Sequence, residues 1–221
     1  MLVGDSRGWS FTGNALYLPL LEELGLRVNR PMPFLEAIVA PKLGCVRYYA
    51  RYEGDDVEFD SVVGKFNDVH YLSIYCGVAV DSLFRAFPGV RQAELGDVSF
   101  FKDPPSNYTQ LRQWRAPVDQ WRNLETVILQ GVNSEKWVYR HNDRNVVVEW
   151  LRRRQELGQP RLRVRLSDTC VSHNDLEDSW IPTLCDMLRG YCDLELEHGF
   201  SELAGSPIQL ASSLAYVQQI D

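Results

Sequence analysis

Gly4-Asp5-Ser6, followed by Gly13-Asn14, is the first candidate for chemistry in this sequence. A serine hydroxyl attacks an acyl carbon only when a base, itself held by a third group, removes its proton. The four histidines, His70, His141, His173 and His198, are scattered through the chain, and Gly-Asp-Ser is also ordinary turn chemistry. Five cysteines, Cys45, Cys76, Cys170, Cys185 and Cys192, form no Cys-x-x-Cys pair and read as reduced, mostly buried small hydrophobes. His173 lies near Cys170, but no second ligand pair has zinc spacing, so no metal site is expected. Glu53, Asp55 and Asp56 read as a solvated turn without the order of an EF-hand, and Asp175, Glu177 and Asp178 favour a following helix N-terminus. The chain has no Gly-x-Gly-x-x-Gly and no phosphate loop. The expectation is a protein that is not an enzyme and that uses no cofactor.

The 221 residues carry 30 acids against 23 bases, a net charge of −7, and 45% are hydrophobic. That balance disfavours a nucleic-acid or anionic-membrane binder, which needs a basic footprint. No apolar run approaches the ~18 residues of a membrane span, and no secretory signal is visible after Met1, so a cytoplasmic or nuclear location is expected. Arg152-Arg153-Arg154 lies in a segment of helical pattern and reads as a solvated face near the helix's C-terminal dipole end. The six tryptophans are scattered and fit core or interface positions better than a base-stacking platform.

One pattern does recur: apolar, two others, apolar, one other, apolar. It appears as Leu21-x-x-Leu24-x-Leu26, Leu43-x-x-Val46-x-Tyr48, Val69-x-x-Leu72-x-Ile74, Val90-x-x-Ala93-x-Leu95 and Leu124-x-x-Val127-x-Leu129. Leu162, Val164 and Leu166 alternate similarly, one residue out of register, and Tyr191, Leu194 and Leu196 give a last copy. The middle positions are separated by 22, 26, 21, 34, 37 and 30 residues. The early gaps match a leucine-rich repeat, and the later ones carry insertions. Pro19, Pro41, Pro88 and Pro160 stand just before four of the copies, where a missing N–H is harmless because the ladder has not begun.

Between copies the period changes to about 3.6. Phe34, Leu35, Ile38 and Val39 have helical spacing, as do Val80, Leu83, Phe84 and Phe87. Asn145 to Leu157 puts Val147, Trp150, Leu151 and Arg154 on one stripe, with Asp143 or Asn145 as cap and Gly158 as stop. A further helix is expected from about Ile181 to Leu188, with Ser179 as its candidate cap. Short alternation of strand and helix implies parallel strands joined by crossovers. Because these strands alternate in polarity, a doubly wound sheet with continuously apolar strands is disfavoured. The expected fold is α/β: a leucine-rich-repeat-like solenoid, strands on its concave face and helices on its convex face. Residues 1–15 read as a lead-in, 16–200 as the irregular solenoid and 201–221 as a helical cap or tail.

Leu16-Tyr17-Leu18-Pro19-Leu20-Leu21-Glu22-Glu23-Leu24, Pro33-Phe34-Leu35-Glu36-Ala37-Ile38 leading into Ala40-Pro41-Lys42-Leu43, and Trp121 to Val132 resemble the repeats of fungal F-box proteins, especially the basidiomycete type. The resemblance covers roughly residues 16–200 and implies a substrate-recognition surface for a ubiquitin ligase. No Leu-Pro-x-Glu-Leu segment precedes the repeats, so recruitment of the ligase scaffold is expected only with an F-box upstream. Gly4-Asp5-Ser6 with Gly13-Asn14 resembles the opening block of GDSL/SGNH-type hydrolases, which implies Ser6 as nucleophile and gives the alternative reading. That family takes its base from a C-terminal Asp-x-x-His, and none of the four histidines has an aspartate three positions before it.

If residues 24 and 26 point inward, strand alternation turns residues 23, 25 and 27 to the other side. Carried through the copies, that parity gives a surface ladder: Arg27, Arg47 and Tyr49, Ser73 and Tyr75, Glu94, Ile128 and Gln130, Arg163 and Arg165, Glu195 and Glu197. Arg27, Arg47, Tyr49, Tyr75, Glu94, Gln130 and Arg165 are the candidate contacts for a protein partner, with Arg47, Tyr49 and Tyr75 as the anchor. Segments around Pro104-Pro105-Ser106-Asn107 and from Asn133 to Asp143 are candidate additional contacts.

Overall fold

The spacing of apolar residues along the chain becomes two continuous rows across a sheet. The computed structural model describes residues 2–3, 16–28, 30–49, 57–75, 80–101, 116–130, 144–167 and 180–197. Its strands are β1 (Leu2–Val3), β2 (Leu16–Tyr17), β3 (Glu23–Arg27), β4 (Ile38–Val39), β5 (Cys45–Tyr49), β6 (Tyr71–Tyr75), β7 (Gln92–Leu95), β8 (Thr126–Gln130), β9 (Arg163–Ser167) and β10 (Asp193–Leu196). Eight of them form one sheet in the order β1-β3-β5-β6-β7-β8-β9-β10, and β2 pairs with β4 separately. Every pairing is parallel. The large sheet therefore follows chain order, with only the β2–β4 pair set aside.

The register puts Leu24, Val46, Leu72, Ala93, Val127, Val164 and Leu194 side by side, and Leu26, Tyr48, Ile74, Leu95, Leu129, Leu166 and Leu196 beside one another two residues on. These rows join the helices in one apolar core. The fraying is at the last strand: Leu194 and Leu196 are only partly buried, whereas the earlier members are fully covered. Among the described residues β10 pairs on one side only, with β9, so its row members have one covering neighbour fewer.

A tight turn leads into four strands of the large sheet, β3, β5, β6 and β8. Leu21 N–H donates to the Leu18 carbonyl (3.2 Å) and Leu43 N–H to that of Ala40 (3.1 Å), spanning Pro19 and Pro41. Val69 closes the same turn on Phe66 (3.3 Å) and Leu124 on Trp121 (3.2 Å), without proline. Proline suits the second position of such a turn because its φ is already fixed there. At the entry to β3, β5, β6 and β7 one carbonyl accepts two successive N–H groups: Glu22 from Gly44 and Cys45, Gly44 from His70 and Tyr71, His70 from Arg91 and Gln92, and Arg91 from Glu125 and Thr126. The repeated geometry carries the ladder beyond the strands themselves.

The helices are α1 (Met32–Ala37), α2 (Val80–Ala86), α3 (Arg144–Glu156) and α4 (Trp180–Arg189), with 3-10 turns at Asp60–Val62, Val98–Phe100 and Pro117–Gln120. In α1 the expected extension through Ile38 and Val39 does not occur. Those two β-branched residues pair instead with Leu16–Tyr17, and Leu18 N–H donates to the Val39 carbonyl at 2.9 Å. In α3 Val147, Trp150 and Leu151 are buried along the expected stripe. The helix ends at Gly158, whose φ of +67° is left-handed, with Gln159 N–H returning to the Arg154 carbonyl at 3.0 Å. In α4 Leu184, Cys185 and Leu188 face the core.

Aromatic rings link successive levels. Tyr48 meets Phe59 at 6.5 Å, Phe59 meets Phe87 at 5.8 Å, and Phe84 meets Trp121 at 4.5 Å between ring centroids. Trp121 Nε1 donates to the Phe87 carbonyl at 2.9 Å, so its polar edge is satisfied inside the core. Two residues ahead of the expected repeats also belong to the sheet: Leu2 aligns with Leu26 and Val3 with Arg27. Residues 201–221 lie outside the described residues.

Candidate functional site

Side chains alternate along each strand, so the residues that alternate with the two apolar rows stand on the side of the sheet away from the helices. Three rows result. The first holds Glu23, Cys45, Tyr71, Gln92, Thr126, Arg163 and Asp193; the second Gly25, Arg47, Ser73, Glu94, Ile128, Arg165 and Glu195. The third follows Leu26–Tyr48–Ile74–Leu95 by one residue and holds Arg27, Tyr49, Tyr75 and Gly96, then Gln130 and Ser167.

At the β3–β6 end, Arg47 Nη1 donates to Glu23 at 3.1 Å, and its guanidinium lies 5.4 Å from the centre of the Tyr71 ring. Tyr49 and Tyr75 stand next to each other, ring centroids 6.2 Å apart and planes inclined by 35°. Gly96 sits under the Tyr75 ring: a Cβ there would fall 2.6 Å from Cδ2, so any side chain would push the ring off the sheet. Arg27 is exposed.

The middle of the face is committed to itself. Tyr71 donates its hydroxyl to Glu94 Oε2 at 2.5 Å, and the Gln130 amide donates to Glu94 Oε1. Burial pushes the Tyr71 phenol well above the usual phenol range, and the adjacent Glu94 carboxylate adds to the effect. All five residues of β8 are buried. Three positions of the expected surface ladder are therefore not surface: Ser73, Ile128 and Gln130 are enclosed, Gln130 at 4% exposure. Alternation fixes the side a residue faces, but the size of neighbouring side chains decides whether water reaches it.

At the β9–β10 end, Arg163 and Arg165 both reach Glu195, at 3.0 and 2.9 Å, and Ser167 donates to Glu197 at 2.8 Å. Of the seven candidate contacts, the structure brings Arg27, Arg47, Tyr49 and Tyr75 together on three adjacent strands. It joins Glu94 to Gln130 in the internal network. It holds Arg165 apart, five strands from Arg27.

The arginine run on α3 is likewise occupied. Arg152 pairs with Glu149 at 2.6 Å and with Glu156, and Arg153 pairs with Glu149 at 3.0 Å. Hydrogen bonds from Arg152 and Arg153 hold the Glu149 carboxyl down at about 2. Arg154 turns inward and pairs with Asp119 at 2.8 Å, while Trp150 Nε1 donates to the same Oδ1 at 3.0 Å. Sequence reasoning placed Arg154 on the right stripe but missed Asp119, whose only signal is a lone acid in a Pro-started 3-10 turn.

Beside Arg154, a cavity of about 60 Å³ is lined by Leu151, Gln159, Pro160, Leu162 and Tyr191. That is room for a few waters and far below the ~300 Å³ at which ligand pockets begin. Cys45, Cys185 and Cys192 are free and buried, and burial pushes the Cys192 thiol up to about 12, where it is no nucleophile at neutral pH. Among the described residues no group of His, Cys, Asp and Glu could hold a metal. No helix among them is long and apolar enough to cross a membrane. Gly4, Asp5, Ser6, Gly13, Asn14, the acidic groups at 53–56 and 175–178, and the segments at 104–107 and 133–143 lie outside the described residues. Comparison with protein-family models, with curated proteins and with solved structures yields no match.

Proposed function

We propose that this chain is a leucine-rich-repeat-like solenoid that binds a protein partner on the strand face opposite its helices, without chemistry of its own. On this reading it acts as the substrate-recognition repeats of fungal F-box proteins do. What supports the architecture is the sheet in chain order, with the same tight turn before four of its eight strands. A repeat of this kind buries its apolar edge only against the next one, so stacking is the source of stability.

The observation that carries the binding reading is the grouping of Arg47, Tyr49 and Tyr75 with Arg27 on three neighbouring strands. Arginine and tyrosine are enriched among interface hot spots: tyrosine offers a large, rigid contact area with a polar end, and arginine a planar fork of hydrogen-bond donors. Tyr49 and Tyr75 are half-buried, so they are held in place before a partner arrives.

The test is affinity capture with mass spectrometry, comparing the wild-type chain with an Arg47→Ala, Tyr49→Ala, Tyr75→Ala triple variant. Partners seen with wild type should be lost. The ring pair contributes about 0.5–1.5 kcal/mol beyond area, and loss of that contact lowers the melting point by about 1–6 °C. Identical partner sets from the two proteins would refute the reading.

A further inference from the structure

Resting on that reading, we infer that the row Arg27–Tyr49–Tyr75–Gly96 takes an acidic, extended segment of the partner, a carboxylate on Arg27 and a ring, aromatic or proline, on the tyrosine pair. The strands of this face carry four arginines. Arg47 is paired with Glu23, and Arg163 and Arg165 with Glu195. Arg27 is exposed and makes no ion pair with any described residue. Among the described residues it is thus the one strand arginine of the face without an acidic partner. A guanidinium with no acidic partner among the described residues, beside an aromatic surface, selects an anion that arrives with an apolar neighbour.

The spacing of the row fixes the spacing in the partner. Adjacent strands lie about 4.8 Å apart, so Arg27 and Tyr75, two strands apart, are separated by roughly 10 Å. An extended chain advances about 3.3 Å per residue, so a segment crossing the strands puts residues three apart over those two positions. The partner motif is therefore an Asp or Glu three residues from the ring. Gly96 completes the site by leaving the Tyr75 ring flat on the sheet, since a Cβ would meet it at 2.6 Å. The opposite end of the face offers no equivalent: Asp193, Glu195 and Glu197 outnumber Arg163 and Arg165.

The test is selection of a random dodecapeptide display library on the purified full chain, then titration of the enriched peptides in solution. Wild type should enrich an acid three residues from an aromatic or proline. With Arg27→Glu, an exposed change that leaves the core alone, binding of that peptide should weaken about tenfold, and a lysine in place of the peptide's acid should restore it. With Gly96→Ala the preference for the ring should fade while the preference for the acid stays; Tyr75→Ala gives the same readout if the alanine variant does not fold. No enrichment, a motif without an acid, or a motif indifferent to Arg27→Glu overturns the inference. If capture still depends on Arg47, Tyr49 and Tyr75 while the selected motif is neutral, only the acidic-segment inference falls. If the triple variant captures what wild type captures, the interaction reading falls with it.

Discussion

The two ends of the strand face are built by one rule and display different chemistry. At β3–β6 the alternating positions give Arg27, Arg47, Tyr49 and Tyr75, with one arginine unpaired among the described residues and two rings side by side. At β9–β10 the same positions give Arg163, Arg165, Glu195 and Glu197, and both arginines are spent on Glu195. Between them Glu94 is saturated by Tyr71 and Gln130, and β8 is buried throughout. Register decides which residues reach the face, whereas cross-strand neighbours decide which remain available to another molecule.

The comparison breaks if the paired arginines of the β9–β10 end are structural locks, and the buried pair on α3 sets the scale. Arg154 and Asp119 side chains are only 12% and 9% exposed, and Asp119 also accepts from Trp150. Asp119→Ala strands a buried guanidinium and should cost about 3–5 kcal/mol in urea denaturation. Leu72→Ala, beneath the tyrosine end and fully enclosed, should cost about 2–5 kcal/mol. Leu194→Ala, in the same row under the other end but partly exposed, should cost less than half as much. Equal costs would mean that the sheet's last level is as well covered as its middle.

Glu195→Gln is the sharper probe of the face itself. Arg163 and Arg165 side chains there are 57% and 32% exposed, and Glu195 is 36% exposed, so water and salt screen the pairs. The change should cost about 0.2–1 kcal/mol and leave partner capture intact. A cost matching Asp119→Ala, or loss of capture, would erase the distinction between the ends.

The smallest effect concerns α3. Glu149, with a folded value of about 2 against 4.5 unperturbed, is held down by its hydrogen bonds to Arg152 and Arg153. A depressed carboxylate contributes stability fully present above 4.5 and lost as pH falls through about 2. An NMR titration should place the midpoint near 2, and Arg152→Ala should move it up toward 4.5. A wild-type midpoint already at 4.5 would mean that these surface arginines do not hold the carboxylate in solution.

Much of the sheet was legible because burial on one side forces period-2 alternation. The seven middle apolar positions named from sequence, Leu24 to Leu194, fall in one row, even though Val164 lacks an apolar residue three places before it. The helix over Asn145–Leu157 was readable from its stripe and its glycine stop. Leu2–Val3 and the β2–β4 pair were not, since two-residue strands carry no period. Nor was the enclosure of Ser73, Ile128 and Gln130, because a single strand's pattern is silent on the side chains that the next strand lays over it. The Tyr71–Glu94–Gln130 network joins residues 23 and 36 positions apart in sequence. With the copies written one above another, Tyr71, Glu94 and Gln130 fall on a diagonal, one row further along at each successive strand, which no single column displays.

The most direct measurement is hydroxyl-radical footprinting of the tyrosines with and without a captured partner. Tyr49 and Tyr75 should become protected on binding. Tyr17, 66% exposed on β2 and away from the face, should be modified equally in both states. Protection of Tyr17 with Tyr49 and Tyr75 unchanged would put the partner elsewhere on the molecule.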